Sequence, residues 1–112
     1  KKGKTNKAAE EFKRKVCNFF KSILPKEPTE HDEAAYHFTF RFPDNQQISR
    51  RFNKHDTLVD VINFVESEGF PCNRYCLKNF DSSQKEISAL NMNAKLSALS
   101  FKAKEVIYVE KQ

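Results

Sequence analysis

The chain has 112 residues, of which 38% are apolar and eleven are phenylalanine, and a formal charge of +5 at pH 7, which suits one domain with one modest core. Its two glycines, Gly3 and Gly69, exclude phosphate-binding loops and dinucleotide fingerprints, which need several glycines within a few residues so that backbone can approach phosphates. No apolar run nears the roughly eighteen residues of a membrane-spanning helix and no signal-peptide pattern opens the chain, so a cytoplasmic or nuclear setting is expected, and the lysine at position 1 suggests a piece of a longer protein.

The charge is concentrated at the start of the chain. Residues 1–28 hold nine Lys/Arg against three acids, whereas residues 29–112 hold eleven against twelve. In the same basic stretch Ala9, Phe12, Val16, Phe19 and Ile23 recur at spacings of 3, 4, 3 and 4, with Phe20 widening the stripe. This is the spacing of a coiled-coil or groove-packed helix. The spacing predicts a helix over residues 6–24, the end of a longer helical region, with Phe12, Val16, Phe19 and Ile23 as its interaction stripe. Two heptads are too few to stand alone, so the helix packs on a partner, on its own domain or in an upstream coiled coil. A basic helix lying on a membrane is the competing reading, with Lys13, Arg14, Lys15 and Lys21 interleaved. Pro25 and Pro28 stop the helix, and the polar segment 25–35 reads as a linker between a 1–24 helical region and a 36–112 domain.

From Tyr36 the period changes to two. Tyr36, Phe38, Phe40 and Phe42 share one face and His37, Thr39 and Arg41 the other, which predicts a half-buried strand. Pro43-Asp44-Asn45 is turn chemistry, and Gln47–Phe52 returns as a second strand with Ile48, Arg50 and Phe52 in phase. Arg50 must therefore reach solvent past the core edge or meet a carboxylate. Thr57-x-x-Asp60 opens a helix whose apolar positions are Leu58, Val61, Ile62, Phe64 and Val65, with Gly69 at its C-terminal cap. Arg74–Phe80 reads as a third strand, 81–86 as a loop, Ile87–Leu90 as a short fourth strand, Lys95–Leu99 as a helical turn and Val106–Val109 as the closing strand.

Cys17, Cys72 and Cys76 are odd in number, and Cys72-x-x-x-Cys76 has neither redox nor zinc-knuckle spacing. His31, His37 and His55 are scattered. No metal, cofactor or small-molecule substrate is expected. No nucleophile and base are paired by spacing, so an enzyme is not expected.

A hairpin, one long helix and further short strands is the order of an α+β, β-grasp ubiquitin-like roll, here preceded by an amphipathic helix. The segment FRFPDNQQISRRFNKHDTLVDVINFVESEGFP resembles the first half of a UBX (ubiquitin regulatory X) domain, and AKLSALSFKAKEVIYVEKQ resembles that family's closing pattern. Leu24-Pro25-Lys26-Glu27-Pro28 and Ser67-Glu68-Gly69-Phe70-Pro71 are similar to the Fas-associated factor branch. The resemblance implies an adaptor that docks on the N-terminal domain of the AAA ATPase valosin-containing protein, while ubiquitylated clients bind elsewhere in the parent chain. It implies that Arg41 is the first-strand arginine of the contact and Phe80 the aromatic of the F-P-R loop. Asp81 and Ser82 stand where that loop has proline and arginine. A cis bond before a non-proline residue costs about 2.5–4 kcal/mol, and a missing guanidinium removes a contact worth about 1.5–3 kcal/mol. A ubiquitin-like domain that has lost this partner and works through its N-terminal helix is thus the alternative. Binding of nucleic acid or membrane by the basic tail is the third reading.

Overall fold

The computed structural model describes residues 2–79, 87, 90–99 and 101–112, with side chains from Glu10 onward. Strand β1 (Tyr36–Arg41) pairs antiparallel with β2 (Gln47–Phe52), placing Phe40 opposite Ile48 and Phe38 opposite Arg50. The intervening turn needs one left-handed residue, and Asn45 supplies it with φ 71°, a conformation Asn tolerates better than most side chains. Gln46 N–H donates to the Asp44 carboxylate (3.0 Å) and fixes the turn.

Helix α2 (Leu58–Ser67) follows. Its first turn is held twice over. The Asp60 carboxylate accepts the Thr57 N–H at 3.0 Å, and the Leu58 and Val59 amides donate to the Ala94 and Met92 carbonyls, so donors with no partner inside the helix are satisfied. Gly69 ends it at φ +100°, as expected of a glycine just past a helix. Strand β3 (Tyr75–Lys78) and strand β4 (Lys104–Lys111) complete a sheet of order β2-β1-β4-β3, in which β4 runs parallel to β1 and antiparallel to β3. Strand β4 is longer than Val106–Val109 because it serves two neighbours in turn. Residues 104–108 pair with β1 and 108–111 with β3.

The core lies between the sheet and α2. Phe38, Phe40, Phe52, Leu58, Val61, Leu96 and Ile107 are fully buried, and Phe40 and Phe64 bring rings within 5.0 Å across the layers. The predicted third strand is shorter than 74–80 and ends at Lys78. Its Phe80 lies outside the described residues. The fourth strand expected at Ile87–Leu90 is not observed at its described ends, since Leu90 N–H donates to the Ile87 carbonyl (3.0 Å), a short-range bond in place of a ladder. Leu96–Ala98 is a 3₁₀ turn, within the helical turn expected at Lys95–Leu99.

Helix α1 (Lys2–Ser22) precedes this unit. The segment after it is polar but tied down. Leu24 packs against the core, Pro28 is buried, and the Glu27 carboxylate accepts the Arg51 N–H at 2.9 Å.

Candidate partner-binding surfaces

Arg41 ends β1 on the open face of the sheet, opposite its buried neighbour Phe40, and is exposed. Register places it beside Tyr108 of β4, which in turn faces Lys78 of β3. The three form one row across three strands. The Arg41 guanidinium sits 5.7 Å from the centre of the Tyr108 ring, a cation–π distance that orients the charge without consuming its hydrogen-bond donors. Lys78 is steered towards Glu110 at 3.6 Å. Sequence reasoning named Arg41 as a candidate and did not name Tyr108. The available signal was its phase, since Ile107 and Val109 are core and Tyr108 therefore points out.

Phe80, Asp81 and Ser82 lie outside the described residues. What leads to them is described. Asn79, the next residue after β3, is buried and its side-chain amide donates to the Glu105 carboxylate at 2.6 Å, while Lys102 N–H reaches the other oxygen at 2.7 Å. The chain therefore leaves β3 from a fixed point, one residue beyond the Arg41–Tyr108–Lys78 row.

Arg50 meets neither solvent nor a carboxylate partner, contrary to expectation. It is buried, with its guanidinium 4.5 Å from the Phe52 ring centre, and it donates to the Pro25 carbonyl (2.6 Å) and the Arg51 carbonyl (3.0 Å). Burial lowers its pKa, and Glu27, Asp56 and Asp60 oppose that from a distance. A fork of N–H donors suits this arrangement because main-chain carbonyls accept it without a second buried charge. Asp56, nearby, has its pKa raised by burial, against the pull of the Asn53 N–H that it accepts.

Helix α1 leans on the end of α2. The Cys17 thiol approaches the Glu66 carbonyl at 3.7 Å, and the Lys13 side chain lies across Gly69. The predicted stripe is divided by this packing. Val16 is half-buried, whereas Phe12, Phe19 and Ile23 are 71%, 59% and 45% exposed. The face that meets the domain carries Lys13 and Cys17. Between the stripe and the segment Pro71–Tyr75 runs an open groove of about 510 Å³.

Cys72 is exposed, but a hydrogen bond of its thiol with the Glu66 side chain, together with partial burial, pushes its pKa up. The thiolate is the reactive form. Alkylation of Cys72 by iodoacetamide at neutral pH is therefore expected to run slower than that of a free cysteine, and Glu66→Gln should accelerate it. Equal rates in the two proteins would show that Glu66 does not hold the thiol. Among the described residues no cluster of three or more His, Cys, Asp or Glu is placed to hold a metal, and no helix is long and apolar enough to cross a membrane.

A family model described as the UBX domain matches residues 30–111. The chain is 47% identical over 45 residues to UBX domain-containing protein 10 of Schizosaccharomyces pombe, covering 40% of the chain and 10% of that protein. It is 28% identical over 92 residues to UBX domain-containing protein 3 of Caenorhabditis elegans, covering 80% and 15%. Against FAS-associated factor 1 of Homo sapiens the figures are 28% over 105 residues, covering 93% and 16%. The chain thus spans only a small part of these relatives. Among solved structures, the solution structure of a UBX domain superposes with a TM-score of 0.66 at 22% identity, covering 80% of each chain. The ubiquitin-like domain of an Arabidopsis thaliana protein gives 0.55 at 18% identity, covering 79% of this chain and 92% of that one. The fold is the α+β, β-grasp ubiquitin-like roll.

Proposed function

The chain belongs to the UBX domain family, and from that premise we propose that it is a non-enzymatic adaptor module that docks a longer protein onto the N-terminal domain of the AAA ATPase valosin-containing protein. In this reading it works in the cytoplasm or nucleus, and other parts of the parent chain hold ubiquitylated clients for extraction or degradation. The observation that carries the reading is Arg41, an exposed cation at the end of β1, aligned by Tyr108 and close to where the chain leaves β3. In the family's contact a strand arginine acts together with an aromatic side chain, and such a pair dominates binding energy when it enters a pocket.

The test is calorimetric titration of the 112-residue chain into the isolated N-terminal domain of that ATPase. Arg41→Ala removes charge-assisted hydrogen bonds worth about 1.5–3 kcal/mol, so binding should weaken by roughly tenfold to a hundredfold. Phe80→Ala should weaken it as well, which would assign the aromatic anchor to that loop. Unchanged affinity in Arg41→Ala would remove the β1 edge from the contact.

A second reading is favoured by the residues after Phe80. Asp81 and Ser82 occupy the positions of proline and arginine in the family's loop, so a module that has left this ATPase and works through α1 is the outcome if the unmodified chain does not bind.

A further inference from the structure

Among its described side chains, helix α1 carries two faces, one of which packs on the domain. At about 100° per residue, Phe12, Val16, Phe19 and Ile23 fall in one narrow arc, with Phe20 at its edge, and the arc that carries Cys17 lies more than a quarter-turn away. The second arc meets α2. The first leaves Phe12, Phe19 and Ile23 in water, a cost that a helix with no partner for that face does not recover. We propose that this face and the groove beside it seat an acidic amphipathic helix from a partner protein, a function separate from the docking of β1 on the ATPase.

Three observations choose this occupant. The spacing of 3, 4, 3 and 4 is the one by which a helix interdigitates with another helix. Lys13 and Lys15, both exposed, flank the Phe12–Val16 end of the stripe, with Phe20 and Ser22 at the flanking positions further on, and the far wall of the groove adds Arg74 beside Pro71 and Tyr75. Glu66 is the one acid lining that groove among the described residues. A second copy of α1 would bring the same lysines against these cations, a like-charge arrangement that opposes pairing. A bilayer is flat, whereas the stripe at Phe12 and Val16 borders a groove whose other side is Pro71, Arg74 and Tyr75, an arrangement that suits a rod seated between two sides better than a plane.

The probe is a synthetic peptide of about three heptads, with Leu at the a and d positions and Glu at the flanking e and g positions, titrated by fluorescence anisotropy against the 112-residue chain. Controls are the same peptide with Lys in place of Glu and one with its sequence scrambled. The Glu peptide should bind at least tenfold tighter than either control. Phe12→Ser with Phe19→Ser, substitutions at exposed positions, should abolish the preference while leaving the thermal melt unchanged. Lys13→Glu with Lys15→Glu should reverse it in favour of the Lys peptide. Arg41→Ala should leave it untouched, which separates this surface from the ATPase contact. Equal binding of all three peptides, or none, would overturn the proposal. Tighter binding to vesicles of phosphatidylcholine and phosphatidylserine in equal parts would overturn it for a membrane surface, and concentration-dependent dimerisation through the stripe would overturn it for a second copy.

Discussion

A chain that begins at Thr29 is expected to be about 3 kcal/mol less stable than the 112-residue chain in urea denaturation, and most of the loss should disappear when Arg50 is replaced by methionine. The segment removed includes the Pro25 carbonyl, which accepts the buried Arg50 guanidinium at 2.6 Å, the Pro28 carbonyl, which accepts Arg51 Nε at 2.8 Å, and Leu24, which covers the core. A hydrogen bond to a charged group contributes about 1.5–3 kcal/mol, and leaving a buried charge without it costs at least as much. In Arg50→Met the side chain still lies on Phe52 but asks for no acceptor, so truncation should cost that variant the packing of Leu24, Pro28 and α1 and the exposed bonds of Arg51 to Glu27 and Pro28, without the penalty of a buried charge left unpaired. The double-mutant cycle isolates the coupling. Strictly additive effects would mean that the segment stabilises the domain by apolar cover alone. The family model begins at residue 30, so a domain boundary drawn there omits the acceptor of an internal charge.

Arg50 also shows where sequence reasoning stopped. Its phase with Ile48 and Phe52 placed it on the core side correctly, because alternation is a local property of a strand. What it would bond to lay 25 residues away in a segment that reads as polar linker, and no local pattern connects the two. The same division runs through the rest of the fold. The hairpin, the Thr57–Asp60 helix start and Gly69 were legible since each depends on neighbours within a few residues. The parallel pairing of β1 with β4, which sets Tyr108 beside Arg41, depends on contacts across some 67 positions, and only the resemblance to a known family indicated it. The α1 stripe was found by its spacing. Its division into a covered face and a free one was not, because the spacing of 3 and 4 marks a face suited to packing and carries no information about which surface it meets.

Asn79→Asp is expected to be strongly destabilising near the candidate ATPase contact, and its effect should depend on pH. Glu105 lies on the core side of β4 in phase with Ile107 and Val109, and its two oxygens accept from Asn79 Nδ2 at 2.6 Å and Lys102 N–H at 2.7 Å. Replacing the amide by a carboxylate sets two acids against each other where a donor stood. Like charges in a shared buried site raise the pKa of at least one of them. The folded state then holds a proton more tightly than the unfolded chain, so stability is greatest below the ordinary carboxylate range and falls as pH rises through the raised value. At neutral pH the loss should reach about 3 kcal/mol, and most of it should be recovered in acid relative to the unsubstituted chain at the same pH. Glu105→Ala, which leaves two donors without an acceptor, should cost about 2–4 kcal/mol with no such recovery. Glu105→Gln should cost less than either, because an amide rotated at Asn79 can accept from the new NH₂ group. A pH-independent loss in Asn79→Asp would show that the two side chains part in the variant, and that the end of β3 is held by its backbone instead of by this pair.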